Sequence, residues 1–140
     1  MRRVILALLA LLVLPACDDR SYRKIGAAID VLTKKTNALP GPAIERLRDF
    51  GRRSVPQIET AMHTASARGK VNLITALAAI GEPESAAILQ HFAVYDEAPE
   101  VREACEKLLE TWAAAADRRT EPAKLALARI AEKQRLGQTE

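Results

Sequence analysis

Cys17 and Cys105 are the only thiols of this 140-residue chain, and His63 and His91 its only imidazoles. Such groups attack, coordinate or carry a covalent group only when the right neighbours stand beside them. Neither histidine has a cysteine or acid at metal-ligand spacing, and the two do not fall at matching places of the repeat described below, so both read as surface or edge residues. Cys105 has no histidine in its pattern and lies in an apolar helical stripe, which makes it a packing thiol. Ser54-Val55-Pro56-Gln57 reads as a capping box, and Thr120-Glu121-Pro122 repeats its start, so both hydroxyls are expected to cap helices. There is no glycine-rich phosphate loop. The expectation is a protein without catalytic residues, metal or cofactor.

Cys17 differs by its place. Met1-Arg2-Arg3 and an apolar run from Val4 to Leu14 precede it. That run is too short for a bilayer, which needs about 20 apolar residues, and has the build of a secretory signal. Leu14-Pro15-Ala16-Cys17 resembles the lipobox of bacterial lipoproteins, with Pro15 departing from the commoner Ala or Ser. The resemblance implies a diacylglyceryl thioether on Cys17 and removal of residues 1–16. Asp18 after the cysteine is similar to the sorting signal that retains lipoproteins in the inner membrane of enteric bacteria. The expected location is therefore a membrane, lipid-anchored on its periplasmic face, with the inner membrane favoured over the outer.

Removal of residues 1–16 takes two arginines and no acid, lowering the net charge from +3 to +1. The pI near 9.1 thus overstates the basicity of the exported part. With aromatic content at 4%, few stacking platforms remain, and no nucleic-acid partner is expected. Abundant Ala and Leu, with Gly and Pro at intervals, predict an all-α chain.

The expected division is the lipidated cysteine and a short tether at 17–21, an N-terminal helix at 22–37, a break at Pro40-Gly41-Pro42, and a repeat domain at 42–136. Within that domain Ile44, Leu47 and Phe50, stopped by Gly51, return thirty residues later as Ile74, Leu77 and Ile80, stopped by Gly81. Ile58 and Met62 return as Ile88 and Phe92. This marks a repeat of two helices, with each glycine as a left-handed cap. Val101, Cys105, Leu108 and Trp112 carry a third, longer unit, expected to continue helically through Ala113–Ala116. A last helix is expected at 121–135.

The run from Leu77 to Leu89, with Ile80-Gly81-Glu82-Pro83 at its centre, resembles HEAT repeats of the short bacterial type also found in phycobilin lyases. Asp96-Glu97-Ala98-Pro99-Glu100-Val101-Arg102 is similar to the start of such a repeat. The resemblance implies a short α-solenoid of about three helix pairs preceded by an extra helix. It also implies a structural role for Arg102, with Asp96 as partner. Fold alone fixes no activity. The function expected is a membrane-anchored, non-catalytic scaffold or adaptor for an envelope protein. Thr60, His63 and Gln90 would lie on its binding surface, with Tyr95 in an open loop. The alternatives are an envelope accessory whose basic first helix associates with lipid head groups or cell wall, and a lyase-like enzyme subunit. Arg52-Arg53 and Arg118-Arg119, each before a helix start, could contact anions.

Overall fold

The computed structural model describes residues 16–34 and 39–137, with side chains from residue 19 onward. Residues 1–15 of the expected signal segment, and the side chains of Cys17, the expected lipidation site, and of Asp18, lie outside the described residues. Among the described residues every regular element is helical: α1 (Ala16–Thr33), α2 (Pro40–Phe50), a 3₁₀ turn (Gly51–Ser54), α3 (Val55–Met62), α4 (Ala67–Ile80), α5 (Ser85–Tyr95), α6 (Pro99–Ala113) and α7 (Thr120–Gly137).

Several boundaries differ from expectation for identifiable reasons. The backbone of residues 17–21, expected as a tether, forms the first turns of α1. Pro40-Gly41-Pro42 opens α2 instead of breaking the chain. The first amides of a helix have no intrahelical acceptor, so prolines there forfeit no bond. α6 ends at Ala113, short of the run to Ala116. Ala116 takes φ 56°, a left-handed turn that L-residues adopt at some cost. Gly81 is the left-handed cap expected, at φ 68° and ψ 25°. Gly51 also has positive φ, but its ψ of −134° leaves the left-handed helical region. It feeds the 3₁₀ turn, a conformation open to glycine alone.

Most of the thirty-residue pairs share their environment; Ile44 and Ile74 do not, since Ile74 is buried and Ile44 only partly so. Leu47 and Leu77 are fully buried, and Ile58, Ile88, Met62 and Phe92 are all in the core. Ile44, Phe50 and Ile80 pack half-buried against it. In the third unit Leu109 takes the deep position and Leu108 the shallower one. α2 packs against α4 and α4 against α6, while α5 packs on α6 and α7. α1 covers α2 and α4, burying Ile25, Ala28, Ile29 and Leu32. Its C-terminal end is fastened where the Asn72 side-chain amide donates to the Leu32 carbonyl at 3.0 Å. Gly69 permits the approach, since a Cβ there would stand 3.2 Å from the Thr33 backbone.

The apolar stripe makes a direct demand on stability. Leu77→Ala should cost about 2–5 kcal/mol, read as a lower melting temperature by circular dichroism. A melting point within a degree or two of wild type would place Leu77 outside the core.

Candidate functional site

The last turns of α3 and α5, the first turn of α4 and the α5–α6 turn meet around an open, polar cleft of about 330 Å³, where His63, Lys70, His91, Tyr95, Asp96 and Glu97 converge. His63 closes α3 and His91 sits late in α5. Their rings stand 5.9 Å apart between centroids, edge to face. Phe92 is the shared floor, 5.2 Å from His63 and 5.3 Å from His91. Tyr95 stacks at 5.2 Å on the outer side of His91 and is 61% exposed. Edge-to-face and tilted contacts at these distances are the favoured geometries for such rings. The four rings form a continuous surface with Phe92 buried at its base.

Beside the rings runs a buried polar joint. The Lys70 ammonium donates to Asp96 Oδ2 at 2.5 Å, with the lysine side chain 17% and the carboxylate 2% exposed. The other carboxylate oxygen accepts from the Ala98 amide at 3.0 Å. Lys70 also stands 5.7 Å from the Phe92 ring centroid. Burial alone would raise the Asp96 pKa. The Lys70 and Ala98 hydrogen bonds, with the charges of Lys70 and Arg102, outweigh burial and hold the carboxyl below its ordinary value of 3.8. Arg102 is a structural partner of this turn, as expected, but through the backbone: its guanidinium donates to the Asp96 carbonyl at 2.7 Å and the Glu97 carbonyl at 3.1 Å.

The other expected residues fall elsewhere. Gln90 faces a separate groove between α5 and α7, lined by Pro83, Pro122, Leu125 and Arg129. Thr60 is exposed, and its hydroxyl donates back to the Pro56 carbonyl at 3.0 Å. The arginine turns and the acidic middle turn do share an edge, and they neutralise one another. Arg52 pairs with Glu84 at 3.1 Å and Arg118 with Glu82 at 3.4 Å. Arg119 grips Asp117, holding that carboxyl down at about 2, and lies over the Trp112 ring at 5.6 Å. Of the four arginines only Arg53 lacks a described ion pair, which leaves little of the expected anion site.

Two expected caps also do other work. Ser54 is buried and donates to the Gly51 carbonyl at 2.7 Å and the Leu47 carbonyl at 3.1 Å, making no capping bond to α3. The intervening 3₁₀ turn consumes the register that the capping box needs. Thr120 accepts from the Asp117 amide at 3.1 Å and approaches the Trp112 carbonyl at 3.4 Å, closing the α6–α7 turn. Ser66, which no sequence pattern marks, is the hydroxyl that does cap a helix, accepting from Gly69 at the start of α4.

Chemistry at Cys105 is remote. The thiol is fully buried, and burial, with the charges of Asp96 and Glu106, pushes its pKa up to about 12. Almost no thiolate exists at neutral pH. Among the described residues no group of three or more His, Cys, Asp or Glu is placed to hold a metal ion, and no helix is long and apolar enough to cross a membrane. The cleft can stack, accept and donate hydrogen bonds, and present an imidazole pair. Compared with known proteins, the chain matches no family model, no curated sequence and no solved structure.

The buried joint has a pH signature. Lys70→Met keeps the stem on Phe92 but strands the carboxylate, at a cost of about 3 kcal/mol at neutral pH. The wild-type carboxyl, depressed below 3.8, contributes stability above that value and loses it as pH falls through the folded pKa. In the variant the unpaired carboxyl protonates more readily. The stability gap between the two proteins, measured by urea unfolding, should therefore narrow as pH falls below about 5. A gap that stays constant down to pH ~3 would exclude this account of the joint.

Proposed function

We propose that the chain is a lipid-anchored, non-catalytic scaffold that docks an envelope protein on the ring cluster formed by His63, His91, Phe92 and Tyr95. The observation that carries this reading is the exposure of Tyr95 and the two imidazoles on a rigid base, beside a cleft edged by Lys70 and Glu97. Aromatic rings held by packing bind with little loss of conformational entropy, and such anchors dominate protein interfaces.

The architectural side of the proposal is a short HEAT-like solenoid. The row α2–α4–α6, with α3, α5 and α7 as second helices and shared burial at thirty-residue spacing, is what stacked helix pairs require. In such a stack second helices line the binding surface, which is where His63 and His91 stand. The anchor is proposed from the Leu14-Pro15-Ala16-Cys17 segment, and Asp18 from the sorting resemblance. On this reading the periplasmic face of the inner membrane is the place of work.

The two halves are tested separately. Cys17→Ser should abolish fatty-acid labelling and release the protein from membranes or leave it unprocessed; a processed form of this variant still held in the membrane would sink the anchor. For the docking face, the partner should be recovered in stoichiometric yield after cross-linking in membranes. His91→Ala/Tyr95→Ala should lower its affinity by roughly thirtyfold or more, the effect of losing about 2 kcal/mol at an interface anchor. Unaltered recovery from the double variant would move the interface elsewhere.

A further inference from the structure

α1 and α2 enclose a second concavity, of about 700 Å³, whose wall is basic: Arg20, Arg23, Lys24 and Arg46, with Ala27 and Phe50 between them. Arg20, Arg23, Lys24 and Ala27 recur at helical spacing and so share one face of α1, turned away from the buried Ile25, Ala28 and Ile29. Arg46 comes from α2, so the cleft exists only because the two helices pack. Of the described acids on these helices, Asp19 pairs with Arg23 of the cleft wall, whereas Asp30 is taken by Lys34 and Glu45 by Arg48. Asp49 makes no described ion pair, but it does not line the cleft. Arg20, Lys24 and Arg46 are exposed and make no ion pair among the described residues. Three uncompensated cations thus face one concave space. The dibasic turns on the other edge present the contrast, since most of their charge is already taken by Glu82, Glu84 and Asp117.

We propose that this cleft binds the phosphate head groups of anionic phospholipids and lays the α1–α2 face against the bilayer. The inference rests on the Cys17 anchor. Because α1 is helical from Ala16, the chain rises only about 1.5 Å per residue. Arg20 and Lys24 therefore stand roughly 5 and 10 Å along the helix from the lipidated position, about a Debye length at physiological salt. A membrane brought there by the acyl chains cannot avoid these cations. Guanidinium forks suit phosphate oxygens, and Phe50 supplies an apolar floor for the adjoining glycerol and acyl atoms.

The test uses the lipidated protein reconstituted in vesicles, with Ala27→Cys carrying a fluorophore; buried Cys105 stays unlabelled. A quencher attached to lipid head groups reports the cleft, and mass spectrometry of residue 17 reports the anchor independently. Quenching is expected in vesicles containing phosphatidylglycerol. It should fall in pure phosphatidylcholine, at ~0.5 M salt, and in Arg20→Gln/Lys24→Gln/Arg46→Gln, where three lost cations at roughly fivefold each weaken the contact by about two orders of magnitude. All three positions are exposed, so circular dichroism of the variant should match wild type. Equal quenching under every condition, as an acidic protein in the cleft or the anchor alone would give, overturns the proposal, and so does absence of quenching with anionic lipid. An unacylated Cys17 would instead remove the anchor on which the proposal rests.

Discussion

Lys70 and Asp96 meet almost out of water, 26 residues apart in the chain, one on α4 and the other capping the end of α5. Removing two charges from solvent is costly, and the cost is offset only when geometry is good and the remaining hydrogen-bonding capacity is filled. Here Ala98 donates to the other carboxylate oxygen, and Arg102 holds the turn by donating to the Asp96 and Glu97 carbonyls. These bonds hold the α5–α6 turn, at which α5 ends and from which α6 starts. His91 and Tyr95 owe their placement to it. The ring cluster is a consequence of a polar joint that it does not itself contain.

Hydroxyls around the core show the same rule met and unmet. Ser54 is buried and finds two carbonyls in the turn that it closes. Ser85, one residue past the thirty-residue equivalent of Ser54, is buried with no partner for its oxygen. A buried orphan of this kind costs about 1–3 kcal/mol. The apolar stripes carry that cost, and their density explains how a small domain can tolerate it.

Helices were legible from the sequence because burial leaves a periodic trace: Leu47 and Leu77, Met62 and Phe92 announced their places by spacing alone. The glycine stops were legible for a backbone reason, although Gly51 proved to serve a 3₁₀ turn. The site was far less so. His63 and His91 are 28 residues apart against a repeat of thirty, and diagonal neighbours across two helices leave no periodic mark. Lys70 and Asp96 each look like ordinary surface charges until the fold joins them. Thr60 and Gln90 do not line the cleft: Thr60 is exposed on α3 and Gln90 faces the α5–α7 groove. The arginine turns were legible, but nothing in their spacing marked Glu84 and Glu82 as direct partners of Arg52 and Arg118. Basic residues in the first helix were visible, whereas Arg46, supplied by α2, belonged to no local pattern.

The order of charge along the turn edge is basic, acidic, basic, with Arg52 reaching Glu84 from one side and Arg118 reaching Glu82 from the other. Exposed pairs of this sort add little stability, each about 1 kcal/mol or less. Their effect is on counting. Delete the middle unit and two dibasic turns would face each other; repeat it and two acidic turns would. Like charges in apposition are penalised where opposite ones are rewarded. The edge therefore favours an order in which an acidic turn lies between two basic ones, through contacts too weak to place the helices themselves.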